Sequence, residues 1–217
     1  MPLVALSMAF VTFLVIANII AVKLVAIGGW VLPAGIIAYP FTFLISDTIA
    51  ELYGRRVATQ IIWLGFAMSL VMVLLVYVSR LLPEAGFWEN QEAYDTILGS
   101  VPRIALGSMV AYLVSQNHDI IAFHLWKRLT NGRYLWLRNN ASTVVSQAID
   151  TVLFVTIAFG GTLPADVIWN MLGTQYAFKL LIAAADTPFV YALVAFYRRM
   201  NFVEPQPDTA AVTSIGD

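Results

Sequence analysis

The segment Asn139–Gly161, NNASTVVSQAIDTVLFVTIAFGG, is an apolar run with a single carboxylate, Asp150, at its centre. As a helix rising about 1.5 Å per residue it reaches about 33 Å, enough to cross a hydrocarbon core of about 30 Å. Asp150 is then expected near the bilayer midplane. Ser146 and Gln147, four and three residues earlier, share its helical face and make a polar stripe. An ionised group at that depth costs between about 2.5 and 17 kcal/mol, so it must face a cavity or a partner and not lipid. A protonated Asp serving as interhelical glue is the structural alternative.

Composition places the rest of the chain in the same class. With 60% hydrophobic and 12% charged residues and a mean hydropathy of +0.79, the 217 residues do not supply a soluble surface. The net charge is -1, and no basic tract exists that could track phosphates, which excludes a nucleic-acid partner. There are no cysteines, hence no disulfide, iron–sulfur or thiol chemistry. No metal or cofactor is implied either: His118 and His124, six apart, fit no metal spacing. Neither a Gly-x-Ser-x-Gly nor a His-Glu-x-x-His motif is present, so an intramembrane protease or other enzyme is not indicated. Polar groups spread over several spans fit an enclosed site better than a channel pore.

Hydropathy predicts an all-α membrane protein with six spans near Leu3–Ile27, Pro33–Tyr53, Val57–Val78, Arg103–Trp126, Asn140–Phe159 and Val167–Tyr197. They form one domain over residues 1–200. The N-terminal run lacks the basic start of a cleaved signal and reads as a retained first helix. The tail 201–217 is polar and Pro-interrupted and reads as disordered and cytoplasmic. The long connection Arg80–Pro102 interleaves acidic residues with Phe87, Trp88 and Tyr94, as an interfacial helix does. Eight of the twelve basic residues follow even-numbered spans, which puts both termini in the cytoplasm.

Within the spans the polar residues are concentrated. The first carries Asn18 and Lys23, and Lys23 can snorkel to the outer interface. The second carries Asp47, Glu51 and Arg55 at steps of four, with Glu51–Arg55 in the favourable order for a helical ion pair. Ser115 to Asp119 are all polar, while Gly107, Ala111 and Ser115 form a small-residue packing line. In the sixth span Tyr176, Lys179, Ala183 and Asp186 share a face, and Pro188 is placed to kink it. Five acids against two lysines leave an acid excess that suits a ligand with several N–H donors. A flat heterocycle could present adjacent N–H groups to a carboxylate and a carbonyl to Lys, Asn or Gln, stacked on Tyr39, Phe43, Phe154 and Tyr176.

SDTIAELYG (Ser46–Gly54), HDIIAFHLWKRL (His118–Leu129), NNASTVVSQAIDTVLF (Asn139–Phe154), AFGG (Ala158–Gly161) and YAFKLLIAAADTPFVY (Tyr176–Tyr191), with Ala17-Asn18 and Lys23, resemble the queuosine precursor transporter family, also called the vitamin uptake transporter family. The resemblance covers nearly all of residues 10–199. It implies a six-helix inner-membrane importer of 7-cyano-7-deazaguanine, 7-aminomethyl-7-deazaguanine or queuine, similar in fold to the substrate-binding components of energy-coupling-factor transporters. Asp150 and Gln147 are expected to take the ligand's N–H edge, with Asn18 and Lys179 completing it. Asp186 is a further binding candidate, and Lys23, Asp47, Glu51 and Asp119 are candidates for coupling or gating. Whether the chain carries substrate alone, as a homodimer, or as the binding component of an ATP-driven module is left open. The pairs Ala5/Ala9 and Ala17/Ala21 resemble those that dock such components onto an energising subunit.

Overall fold

In a computed structural model, residues 2–129 and 135–199 are described. Seven helices follow in order: α1 (Pro2–Ile20), α2 (Tyr39–Tyr53), α3 (Arg55–Leu81), α4 (Gln91–Gly99), α5 (Val101–Leu129), α6 (Leu135–Phe159) and α7 (Ala165–Arg199). Between α1 and α2 the chain forms a small antiparallel hairpin, β1 (Leu24–Ile27) and β2 (Trp30–Pro33), then a 3-10 turn, Ala34–Ile37. The expected first helix to Ile27 therefore ends seven residues early. Ile27 pairs with Trp30, so Gly28 and Gly29 alone make the turn, with φ of 59° and 86°. A two-residue turn of that kind needs positive φ at both positions, which glycine adopts without strain.

Among the described residues, three stretches are long and apolar enough to cross a membrane: Pro2–Ile20, Arg55–Leu81 and Gln91–His118. A fourth is α7 if its two arms, bent by 41° between Ala183 and Pro188, count as one. The bend falls where Pro188 removes a backbone donor, as its position in the sequence implied. The 15 residues of α2 and the apolar part of α6, Val144–Phe159, are shorter than the about 20 residues of a full crossing. Side chains such as Met8, Leu70, Leu74 and Leu75 stand exposed on α1 and α3, as befits surfaces that meet lipid.

Of three apolar clusters among the described residues, the smallest joins Met72 of α3 to Val101 and Ala105 of α5, and two larger ones organise the interior. One joins Leu6 and Phe10 of α1, Ile45, Ile49 and Leu52 of α2, Ile61 of α3 and Val194 of α7. The other joins Ala21, Ile104, Val155, Phe159 and Met171 at the opposite end of the bundle. Helices α5 and α6 lie closest together. Gly107 makes this approach possible, since a Cβ there would meet the Ala158 backbone nitrogen at 3.3 Å. Arg103 closes the same pair: its guanidinium donates to the carbonyl oxygens of Ile157 and Gly160, satisfying acceptors that the end of α6 leaves open.

The connection after α3 does hold a helix, α4, and it is tied back to α3. Arg80 pairs with Asp95 at 2.7 Å, and the Ser79 and Tyr94 hydroxyls lie 2.7 Å apart. Between α2 and α3, Gly54 at φ 87° ends one helix and begins the next. Arg55 therefore does not continue the α2 face, and Glu51 pairs instead with Arg198 of α7 at 3.3 Å. The alanine pairs also separate. Gly35 packs against the Ala17 carbonyl and the Ala21 Cβ, so this pair makes room for the 3-10 turn.

Candidate functional site

Asp150 projects from the middle of α6 and is 9% exposed. Lys179 comes from the middle of α7, is 4% exposed, and its ammonium donates to Asp150 Oδ2. Tyr39, at the first turn of α2, donates its hydroxyl to the same oxygen at 3.5 Å, and Ser115 of α5 donates to Oδ1 at 3.5 Å. The Lys179 ammonium also stands 5.0 Å from the centre of the Tyr39 ring, within cation–π range. Four helices thus converge on one carboxylate. Largely removed from bulk water, the two charges hold one another in place.

This ion pair forms one wall of a cavity of ≈ 140 Å³ between the two apolar clusters. A single water needs about 10–15 Å³ on the same measure, so the space accommodates a small molecule. Its walls are aromatic: Phe10, Tyr39, Phe43, Phe66, Tyr112 and Phe154 all border it. Tyr39 and Phe43 stand 4.9 Å apart, and Phe66 meets Tyr112 edge-on at 5.2 Å. Asn18 and Gln175 bring two buried carboxamides to the same space. Pro33, Gly35 and Ile36 supply the remaining edge, so β2 and the 3-10 turn after it pass directly into the cavity wall. Flat aromatic walls with a few convergent polar groups are the general form of a small-molecule site.

Of the residues singled out from the sequence, Asn18, Tyr39, Phe43, Asp150, Phe154 and Lys179 border this cavity. Gln147 does not: its Oε1 is buried elsewhere without a partner, while Ser146, one residue before it, approaches His118 Nδ1 at 3.2 Å. Tyr176 is also turned away, donating to the Val144 carbonyl at 3.2 Å. Asp186 lies farther along α7, buried, with Oδ2 unpartnered and near enough to Asp47 to act on it electrostatically. Lys23 is outside α1 altogether, exposed in the turn before β1, and only its backbone is engaged, accepting from Ala34 N at 2.7 Å. Glu51 is held by Arg198 at the end of α7. Asp119 lies outside the described side chains, as do residues 201–217. Gln175 was missed, although a polar residue four before Lys179 is the signal that could have found it.

The hairpin is fixed to α7 through Asn170. Its Oδ1 accepts from Val31 N at 2.9 Å and its Nδ2 donates to Gly29 O at 3.0 Å. Trp30 meets Phe178 edge-on at 6.2 Å.

Residues 33–193 match the family described as "Putative vitamin uptake transporter". The chain is 36% identical over 179 residues to the "Probable queuosine precursor transporter" of Bacillus subtilis (strain 168), covering 82% of this chain and 78% of that protein. It is 33% identical over 152 residues to the "Queuosine precursor transporter" of Escherichia coli (strain K12), covering 69% and 66%. With the "Probable queuosine precursor transporter" of Haemophilus influenzae (strain ATCC 51907 / DSM 11121 / KW20 / Rd) it shares 31% over 153 residues, covering 68% and 62%. No solved structure matches the chain. The relatives carry transporter names and not those of enzymes, and the apolar helices are those of a multi-pass membrane protein. The chain belongs to the vitamin uptake transporter family, alongside the queuosine precursor transporters.

Proposed function

We propose that this protein imports a queuosine precursor, a 7-deazaguanine, and holds it in the cavity between α1, α2, α6 and α7. The observation that carries this reading is the Lys179–Asp150 pair set into an aromatic wall. A 7-deazaguanine is flat, suits stacking on Tyr39, Phe43 or Phe154, and presents N–H groups that a carboxylate accepts. Asp150 receives those donors, Lys179 steadies the carboxylate, and Asn18 meets the remaining polar edge. The names of the relatives point to the same substrate class.

The helices α1, α2, α3, α5, α6 and α7 are read as six spans, the number found in the binding components of energy-coupling-factor transporters. The short α2 completes its crossing with the 3-10 turn before it. The eight basic residues that follow even-numbered spans in the sequence support an inner-membrane protein with both termini in the cytoplasm. Asp47 and Asp186 lie outside the cavity and are the candidates for coupling.

Proteoliposomes containing only this protein test the reading. Labelled 7-cyano-7-deazaguanine should accumulate with no ATPase present. Binding without uptake would assign the chain to a module that needs an energising subunit. Absence of binding would remove the substrate assignment.

A further inference from the structure

Gln175 lies four residues before Lys179 on α7, hence on the same face and beside the ion pair. It is 2% exposed and borders the cavity, yet its Nε2 is sealed from solvent with no acceptor. Apart from Asn18 and Ser108, the polar groups around it are committed. Thr42 and Ser46 donate to the carbonyls of Tyr39 and Phe43 on their own helix, and Asp150 is shared by Lys179, Tyr39 and Ser115. An unpaired buried amide is costly to keep, and a leucine or methionine of similar size would avoid that cost. A polar group retained at a loss on the wall of a cavity is therefore one whose partner arrives with the ligand.

We propose that Gln175 is the specificity residue of this cavity, donating from its carboxamide to the ring carbonyl of the ligand next to the N–H that Asp150 accepts. This assignment rests on the deazaguanine reading above. Rotation about the last side-chain bond, whose energy profile is broad, exchanges the two ends of the amide, turning Nε2 toward the cavity and Oε1 into its former place. Division of labour then follows from donor inventory. A carboxylate only accepts, so Asp150 reads N–H groups, and an amide donor is required for the adjacent C=O. A site that has a buried donor waiting for a carbonyl discriminates strongly against a ring that lacks one, because the donor is then left unpaired.

The test uses the purified full chain in detergent with two probes: 7-deazaguanine, and 2-amino-7-deazapurine, which lacks the ring carbonyl and, with it, the adjacent ring N–H, so that the part of the preference due to Gln175 is read as the change on substitution. For Gln175→Met the ligand-free Tm should equal or exceed that of the wild type, since an unsatisfied amide is removed. Affinity for 7-deazaguanine should fall about tenfold or more, and the preference over the carbonyl-free ring should shrink by a similar factor. Gln175→Leu, close in size and without a donor, should lose the same preference and provides the readout if the Met variant does not fold. A preference that neither substitution reduces overturns the assignment while leaving the substrate reading intact. A lowered Tm with unchanged affinity overturns it too, by making Gln175 a packing residue. Wild-type protein that binds neither probe overturns the substrate reading, and this assignment with it.

Discussion

Two ion pairs tie α7 to its neighbours, and they differ in what surrounds them. Lys179–Asp150 is enclosed, with side-chain exposures of 3% and 13%, whereas Arg198–Glu51 is open at 61% and 59%. The same chemistry is obligatory in one place and optional in the other. In water either charge finds solvent when its partner is lost, and an exposed pair contributes about 0–1 kcal/mol. Inside the bundle the abandoned charge has nowhere to go, and breaking a buried pair costs about 3–5 kcal/mol.

Asp150→Asn should therefore have the largest effect. It keeps the volume, strands the Lys179 ammonium, abolishes binding of a 7-deazaguanine, and lowers stability by about 3–5 kcal/mol. Thermal melting and equilibrium binding check both parts, and wild-type affinity in the variant would break the site assignment. Lys179→Met should lose stability by a similar amount, because Asp150 is then the unpaired charge. The double variant Asp150→Asn/Lys179→Met sharpens the comparison: stability should recover toward wild type while binding stays absent. Losses that simply add would show that the two residues do not act as a pair.

A smaller effect is expected at Gly35, where a Cβ would stand 2.7 Å from the Ala17 carbonyl oxygen. Gly35→Ala should force the 3-10 turn off α1, at about 1–3 kcal/mol, and weaken ligand binding by reshaping the wall. The smallest belongs to the open pair. Glu51→Gln should change stability by less than about 1 kcal/mol and leave uptake near wild type. A large loss there would mean that the inner end of α7 takes part in transport.

The carboxylate of α6, the lysine of α7 and Asn18 were legible in the sequence because a charge or amide in an apolar run has few places to go. Their neighbours were harder to read. Positions three and four residues away both lie near a given helical face, about 60° and 40° from it. In α6 the cavity takes Phe154, four after Asp150, and leaves out Gln147, three before it. In α7 it takes Gln175, four before Lys179, and leaves out Tyr176, three before it. Sequence spacing alone does not choose between them; the tilt of the neighbouring helix does. The hairpin was hidden differently. Hydropathy joins LVAI to the first span, although the β-branched residues around Gly28-Gly29 carry a hairpin signal. The Glu51–Arg55 pairing failed because Gly54 redirects the backbone between them.

Asn170 grips the hairpin from α7, and three residues after Trp30 the same strand has become the edge of the chamber. The turn at the surface and the inner wall are thus one continuous piece of backbone. Loosening the grip outside is expected to reshape the space within.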